Sequence, residues 1–210
     1  MLIELVDVLR CPRPHEETWL VASADRTERR RIVDGTLGCP ICRAEYPIRG
    51  GVADFAGGSA SRASSGFAQV SPDDAMRLAA LLDLTPGPGF AVLFGSWGRY
   101  AAELTALTPV PLLLVNPPEN VGAGDGVSVI LAGDVLPLAS GKARAAAIDP
   151  ALGVPPAVAA DTVRARGRVV APSNVDPIQG TREIARDARA WVAERDAQPS
   201  APVTLTARPR

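Results

Sequence analysis

The chain has 210 residues, enough for one ordinary domain with a small module beside it. Hydrophobic residues make up 47% of it, which excludes a disordered chain, and the net charge of −1 excludes a global positive field for nucleic acid. No uncharged apolar stretch is long enough to span a bilayer, and the N-terminal residues lack the positive region of a signal peptide. We therefore expect a soluble, cytoplasmic protein without a membrane partner.

The first 56 residues carry short elements around a charged loop. Apolar residues at helical spacing predict a short N-terminal helix: Leu2, Leu5, Val6 and Leu9. Short strands are predicted at 19–22, 32–33 and 44–48. The loop between the first two strands contains Arg29, Arg30 and Arg31 among acidic residues, which indicates the solvated tip of a hairpin.

The composition changes abruptly after residue 56. Residues 57–66 consist of Gly, Ser and Ala with one Arg, a composition typical of a flexible linker. We therefore expect three parts in the chain. These are a small module over 1–56, a linker over 57–70 and an α/β domain over 71–210.

The third part alternates between predicted strands and helices. Helices are expected from Pro72 to about residue 84 and over 99–107, 154–163 and 182–195. Buried strands are expected at 90–94, 112–115, 127–131, 144–148 and 168–171, with a last edge strand at 203–206. This alternation predicts a Rossmann-like α/β fold with a mostly parallel, doubly wound sheet.

The three cysteines and the single histidine suggest a metal site. Cys39 and Cys42 are separated by two residues, the spacing of a turn that presents two thiolates to one ion. Cys11 supplies a third thiolate, and His15 stands near the position where a second cysteine would complete that pair. We expect these four residues to hold a structural zinc ion. The alternatives are a carboxylate such as Glu16 or a water as fourth ligand, or cysteines that bind no metal.

The residues around these ligands resemble a known family. Residues 9–12 and 35–52, with Cys-Pro-Ile-Cys at 39–42 and Tyr-Pro-Ile at 46–48, are similar to the zinc-ribbon activator subunit of RNA and protein methyltransferases. In that family the ribbon is fused to, or pairs with, a methyltransferase domain. The resemblance therefore implies such a domain downstream and a ribbon surface for a protein partner, for a second copy of the chain or for the chain's own α/β domain.

Downstream segments resemble parts of class I S-adenosylmethionine-dependent methyltransferases, in the same order. Residues 90–99 are similar to the first strand and its glycine turn, 112–116 to the second strand, and 132–138 and 166–172 to later segments. The resemblance implies a cofactor site at Gly95, Gly98, Asn116 and Asp134. Asn116 would contact the ribose hydroxyls, and Asp134 the adenine amino group.

The cofactor turn departs from the pattern of that family. No acid precedes it, Ser96 replaces a glycine, and the bulky Trp97 stands where a small residue belongs. Gly95 and Gly98 are equally typical of a strand-to-helix turn that binds nothing. For Trp97 we favour a plug in the core over an aromatic lid on a ligand.

Three functional hypotheses follow. The favoured one is a degenerate methyltransferase-fold protein, a pseudoenzyme without catalytic residues, that acts as a binding, structural or regulatory subunit. The second is an active methyltransferase with an atypical cofactor loop. The third is an RNA-binding module that uses the arginine-rich loop of the ribbon.

Overall fold

The strands in the described part of the chain lie in a single sheet. The computed structural model describes residues 1–60, 62, 70–152 and 154–197. Within these residues the sheet has eleven strands: β1 (Val21–Glu28), β2 (Arg31–Gly38), β3 (Glu45–Arg49), β4 (Val52–Asp54), β5 (Ala91–Phe94), β6 (Leu112–Val115), β7 (Val127–Leu131), β8 (Ala143–Ala147), β9 (Val163–Pro172), β10 (Thr181–Arg186) and β11 (Ala190–Arg195). The helices are α1 (Pro72–Leu81), α2 (Ala101–Leu107) and α3 (Pro156–Asp161), with 3₁₀ turns at Ile3–Val8, Gly95–Tyr100 and Pro150–Leu152.

The sheet combines a parallel centre with antiparallel ends. Its strand order is β1-β2-β3-β4-β7-β6-β5-β8-β9-β11-β10. Neighbours from β4 to β9 are parallel, whereas the strands at both ends pair antiparallel. The expectation of a mostly parallel sheet was therefore too narrow, because hairpins add antiparallel strands at both ends: β1–β2, β2–β3 and β3–β4 at one end and β10–β11 at the other.

The central strands are buried on both faces, as their continuous apolar runs predict. All four residues of β5 and all four of β6 are buried. On one face, α1 and α2 pack over alternate residues of these strands such as Leu93 and Leu114. On the other face, Val92 and Phe94 belong to a core that includes α3 and apolar residues of the N-terminal 3₁₀ turn, such as Leu5.

The N-terminal residues join the same sheet. β4 pairs in parallel with β7, and Val8 and Arg10 form backbone hydrogen bonds with Ala139 and Pro137 in the segment after β7. The proposed division at residues 56 and 70 stays a prediction. Residues 61 and 63–69 of the predicted linker lie outside the described residues, and so does the edge strand predicted at 203–206.

The helix predicted over 182–195 is wrong. This segment forms the antiparallel hairpin of β10 and β11, and β11 also pairs with β9. Consecutive residues of β11 enter opposite faces of the sheet, with Trp191 in one core and Val192 in the other. Burial on both faces favours strand for aromatic and β-branched residues, and this outweighs the apparent helical spacing.

Other elements differ mainly in length. The charged loop after residue 22 is mostly strand, because β1 and β2 extend to Glu28 and Arg31 and leave a tight tip at Arg29 and Arg30. α1 begins as expected, with the Ser71 hydroxyl accepting the backbone N–H of Asp74. Among the described residues, no helix is long and apolar enough to cross a membrane.

Candidate functional site

The four predicted metal ligands lie together, two on the turn between β2 and β3 and two in the segment after the N-terminal 3₁₀ turn. Cys39 and Cys42 stand on the turn between β2 and β3, where Cys39 accepts a backbone hydrogen bond from Arg43. Cys11 and His15 follow the N-terminal 3₁₀ turn. The ligand atoms of these four residues all lie within 4.8 Å of one another.

Two of the distances between these atoms match the edges of a tetrahedron of zinc ligands. The Sγ atoms of Cys11 and Cys42 are 3.7 Å apart, and Cys39 Sγ lies 3.4 Å from His15 Nε2. Ordinary zinc bonds at tetrahedral angles place two sulfurs about 3.8 Å apart, and a sulfur and a nitrogen about 3.6 Å apart. The cluster therefore has both the donor chemistry and the spacing to hold one zinc ion.

The surroundings shift two of the thiols in opposite directions, because burial raises the pKa of Cys11 whereas hydrogen bonds lower that of Cys39. Burial opposes ionisation of Cys39, but backbone N–H groups at Cys42 and Ile41 donate to its sulfur and lower its pKa to about 6. His15 places Nδ1 2.6 Å from the carbonyl oxygen of Glu16, which directs Nε2 toward the cysteines. Burial raises the pKa of Tyr46, so its hydroxyl stays protonated 3.4 Å from Cys11 Sγ.

A second region of interest lies at the carboxyl ends of the central strands. The chain leaves β5 in one direction to β6 and returns on its other side as β8, so β5 and β8 flank a topological switch point. Ligands of open α/β sheets bind in the crevice outside the strands at such a point. This crevice is where a cofactor of the predicted kind would bind.

Side chains of the protein bridge this crevice. The backbone N–H of Ser96 donates to Asp149 Oδ2 at 2.8 Å, and Ala151 donates to Asp149 Oδ1 at 2.9 Å. The indole of Trp97 spans the same gap, with Nε1 donating to the carbonyl oxygen of Ile148 at 3.0 Å. Both links join the turn after β5 to the end of β8.

The two predicted cofactor glycines have structural uses in this turn. Gly95 is buried and adopts a φ of 54°, a backbone conformation that favours glycine. Gly98 packs so closely on the residues after β6 that an added Cβ would lie 2.7 Å from Pro117 Cβ. Their presence is therefore explained without a ligand.

Asn116 and Asp134 lie at the same edge of the sheet in different surroundings. Asn116 is 2% exposed; its Nδ2 donates to the carbonyl oxygen of Ala132 at 2.9 Å, and its Oδ1 accepts the N–H of the same residue at 2.7 Å. Asp134 is exposed beyond the end of β7. The structure thus brings these residues to the expected edge, and their role in cofactor binding stays a prediction.

Sequence reasoning missed Asp149 and a pocket beside the crevice. Asp149 and Pro150 directly follow the fourth predicted strand, a position that could have drawn attention to the acid. The pocket has a volume of about 350 Å³ and lies between α1 and the carboxyl ends of β5 and β9. Its lining includes Arg77, Trp97 and Arg189.

The arginines at the tip of the β1–β2 hairpin are paired with acids. Arg29 contacts Asp125 at 2.8 Å, and Arg30 donates to Glu4 at 2.6 Å. These ion pairs reduce the positive charge that the loop presents to a nucleic acid.

These features define an α/β protein with a mixed sheet, a switch-point crevice and a Cys₃His cluster. No protein-family model and no curated protein sequence matches the chain. Similar solved structures include a geranyl diphosphate methyltransferase in complex with GPP and sinefungin, at 18% identity and a TM-score of 0.34. Another is a T. thermophilus 16S rRNA methyltransferase in complex with AdoMet and guanosine, at 14% identity and a TM-score of 0.37.

The matched regions are partial. The first similarity covers 53% of this chain and 54% of the other, and the second covers 81% and 47%. The chain thus matches about half the length of each of these methyltransferases. At such TM-scores the similarities do not establish a shared function.

Proposed function

We propose that the chain is a methyltransferase-fold protein with a fused structural zinc ribbon, and that it acts as a non-catalytic binding or regulatory subunit. Counted from β5, its parallel strands run 3-2-1-4-5 across the sheet, the order of dinucleotide-binding α/β folds. This order agrees with the resemblance of residues 90–172 to class I methyltransferases.

The observation that carries the proposal is the bridged crevice. In the methyltransferase pattern, backbone amides of the turn after the first strand approach the methionyl part of the cofactor. Here the Ser96 amide is bonded to the carboxylate of Asp149, and the Trp97 indole is anchored on Ile148. An entering ligand would have to break both bonds and would bring its own carboxylate against that of Asp149. The protein's own groups therefore take the place of the cofactor.

The Cys₃His cluster supports the structural role of the ribbon. Four protein ligands within 4.8 Å of one another would leave no open position on a zinc ion for a substrate or an activated water. Zinc would instead link the N-terminal segment to the β2–β3 turn and stabilise a module that is too small to bury an adequate core alone. Which protein the ribbon contacts, whether another chain or a second copy, stays a prediction from the family resemblance.

Calorimetric titration with S-adenosylmethionine and with its demethylated product tests the proposal. The protein should first be shown to contain zinc and to unfold cooperatively, so that a negative result describes the folded chain. We expect no binding of either compound at micromolar concentrations. Micromolar affinity, changed strongly by Trp97→Ala, would overturn the proposal in favour of an active enzyme with an atypical loop.

A further inference from the structure

A cluster of arginines lies at the edge of the sheet opposite the switch-point crevice. Where β8 and β9 begin, Ala143 pairs with Val163 but Ala145 pairs with Arg168. β9 therefore carries extra residues over 164–167, which bulge out of the sheet. We call residues 164–168 the arginine bulge, because Arg164, Arg166 and Arg168 lie on it.

The conformation of the arginine bulge is fixed by its glycine. A Cβ at Gly167 would lie 2.4 Å from Val163 Cγ1 and 2.5 Å from the carbonyl oxygen of Arg144, so no side chain fits there. Arg166 adopts a φ of 61°, which tightens the turn. As a result, Arg164, Arg166, Arg168 and Arg144 line one small cavity of about 40 Å³.

Arg144 is held in place by neutral groups. Its guanidinium donates to the carbonyl oxygens of Asp83 at 2.8 Å and Thr85 at 2.9 Å. These bonds orient the side chain but leave its positive charge uncompensated. A fixed charge is thus present at the cavity before any ligand arrives, which lowers the entropic cost of binding.

Few acidic residues lie near the arginines of the cavity in the described part of the chain; Glu194 of β11 stands opposite Arg168 in the sheet but pairs with Arg182. Among the described residues, none of the four forms a salt bridge, whereas Arg195 on the neighbouring β11 is paired with Asp161 at 2.6 Å. The residues outside the description, 61, 63–69, 153 and 198–210, contain no Asp or Glu side chain. The only acidic residue in the cavity lining is Asp83.

We propose that Arg144 and the arginine bulge form a binding site for a phosphate group. Four guanidinium groups around one cavity repel one another, and an anion with several acceptor oxygens removes this repulsion through charge-assisted, bidentate hydrogen bonds. The cavity has room for one such group and not for a whole nucleotide. The phosphate comes either from a small inorganic ion or from the backbone of a nucleic acid.

Two ligands separate these sources. Pyrophosphate is titrated by calorimetry, and a fluorescent single-stranded oligouridine RNA is followed by anisotropy at several salt concentrations. The full chain should bind at least one of them. Binding of pyrophosphate alone identifies a small-ion site. RNA binding that weakens with salt identifies backbone phosphates as the ligand.

A pair of double variants locates the site. Arg164→Ala with Arg166→Ala removes two exposed arginines from the bulge, and we expect affinity to fall at least about tenfold, the effect of losing charge-assisted hydrogen bonds. Arg29→Ala with Arg30→Ala changes the net charge equally at the hairpin tip and should leave affinity within about twofold. Equal weakening by both variants, or no binding of either ligand by the unmodified chain, would overturn the proposal. Thermal melting checks that both variants are folded.

Discussion

The side chain of Asn116 joins the carboxyl ends of β6 and β7. Its side-chain amide pairs with both the backbone C=O and the backbone N–H of Ala132. The backbone of Asn116 adopts a φ of 48°, a conformation that Asn tolerates better than most residues. This use is invisible in the sequence, where an asparagine after a buried strand suggests a ligand contact. A buried polar residue at the end of a strand can therefore connect two neighbouring strands instead of binding a ligand.

Replacing Asn116 with Asp tests this role. The substitution turns the Nδ2 donor into an acceptor that faces the carbonyl oxygen of Ala132 and places a charge at a buried position. We expect the free energy of unfolding to fall by about 2 kcal/mol, the usual cost of an unsatisfied buried group. Urea denaturation measures it. Asn120→Asp, the same change at an exposed position, should cost less than about 0.5 kcal/mol. Equal stability of the two variants would contradict the structural role.

At the same scale, the Cys₃His cluster could be predicted and the bridged crevice could not. A two-residue spacing such as that of Cys39 and Cys42 is a local pattern with a narrow chemical meaning. The contact of Asp149 with Ser96 joins residues 53 positions apart, and nothing in the local sequence marks them as partners. Long-range pairs of this kind depend on the strand order, which the sequence alone left open.

At the scale of elements, Asp187 stabilises the turn of the β10–β11 hairpin. The backbone N–H groups of Arg189 and Ala190 donate to its carboxylate at 2.8 and 3.0 Å, and Arg77 of α1 forms an ion pair with it. These contacts lower the pKa of Asp187 to about 2. The turn breaks what looked in the sequence like one continuous helix, because Asp187 stabilises a reversal of the chain.

This shift predicts a specific dependence of stability on pH. A carboxylate whose pKa is lowered by folding stabilises the protein above its ordinary pKa, and this contribution is lost as the pH falls toward about 2. Asp187→Asn keeps an acceptor oxygen but does not titrate. We expect urea midpoints to fall less between pH 4 and pH 2 in this variant than in the unmodified chain. Asp25→Asn, on exposed β1, should leave the slope unchanged, and an unchanged slope in Asp187→Asn would refute the assignment.

The strands and helices that were predicted well are those with a strong local signal. Continuous apolar runs marked β6 and β7 at their observed bounds, and the Ser-Pro sequence marked the start of α1. The β10–β11 hairpin was missed because the residues that pack on the two faces of β11 come from distant parts of the chain. Burial on two faces is a tertiary property, and it outweighs local periodicity.

At the scale of the whole molecule, the N-terminal residues and the α/β part share one sheet and one core. β4 continues the sheet beside β7, and the apolar residues Leu5 and Leu9 belong to the same core as Phe94 of β5 and Trp191 of β11. The N-terminal residues therefore cover a sheet face on which an α/β domain would otherwise need helices. Loss of the ion from the Cys₃His cluster should therefore also destabilise the packing of β11, at the other end of the sheet.

Removal of zinc tests this coupling. We expect about one zinc per chain and a single unfolding transition, which a strong chelator should shift downward by more than about 10 °C, because the energy of metal binding contributes to folding. The difference in near-ultraviolet circular dichroism between the unmodified chain and Trp191→Phe separates the signal of the buried Trp191 from those of Trp19 and Trp97, and it should be lost in the same transition. His15→Ala should weaken zinc retention and lower the melting temperature, whereas Glu16→Gln should change neither if His15 is the fourth ligand. Two separate transitions, with the tryptophan signal insensitive to the chelator, would show instead that the ribbon folds independently of the sheet it extends.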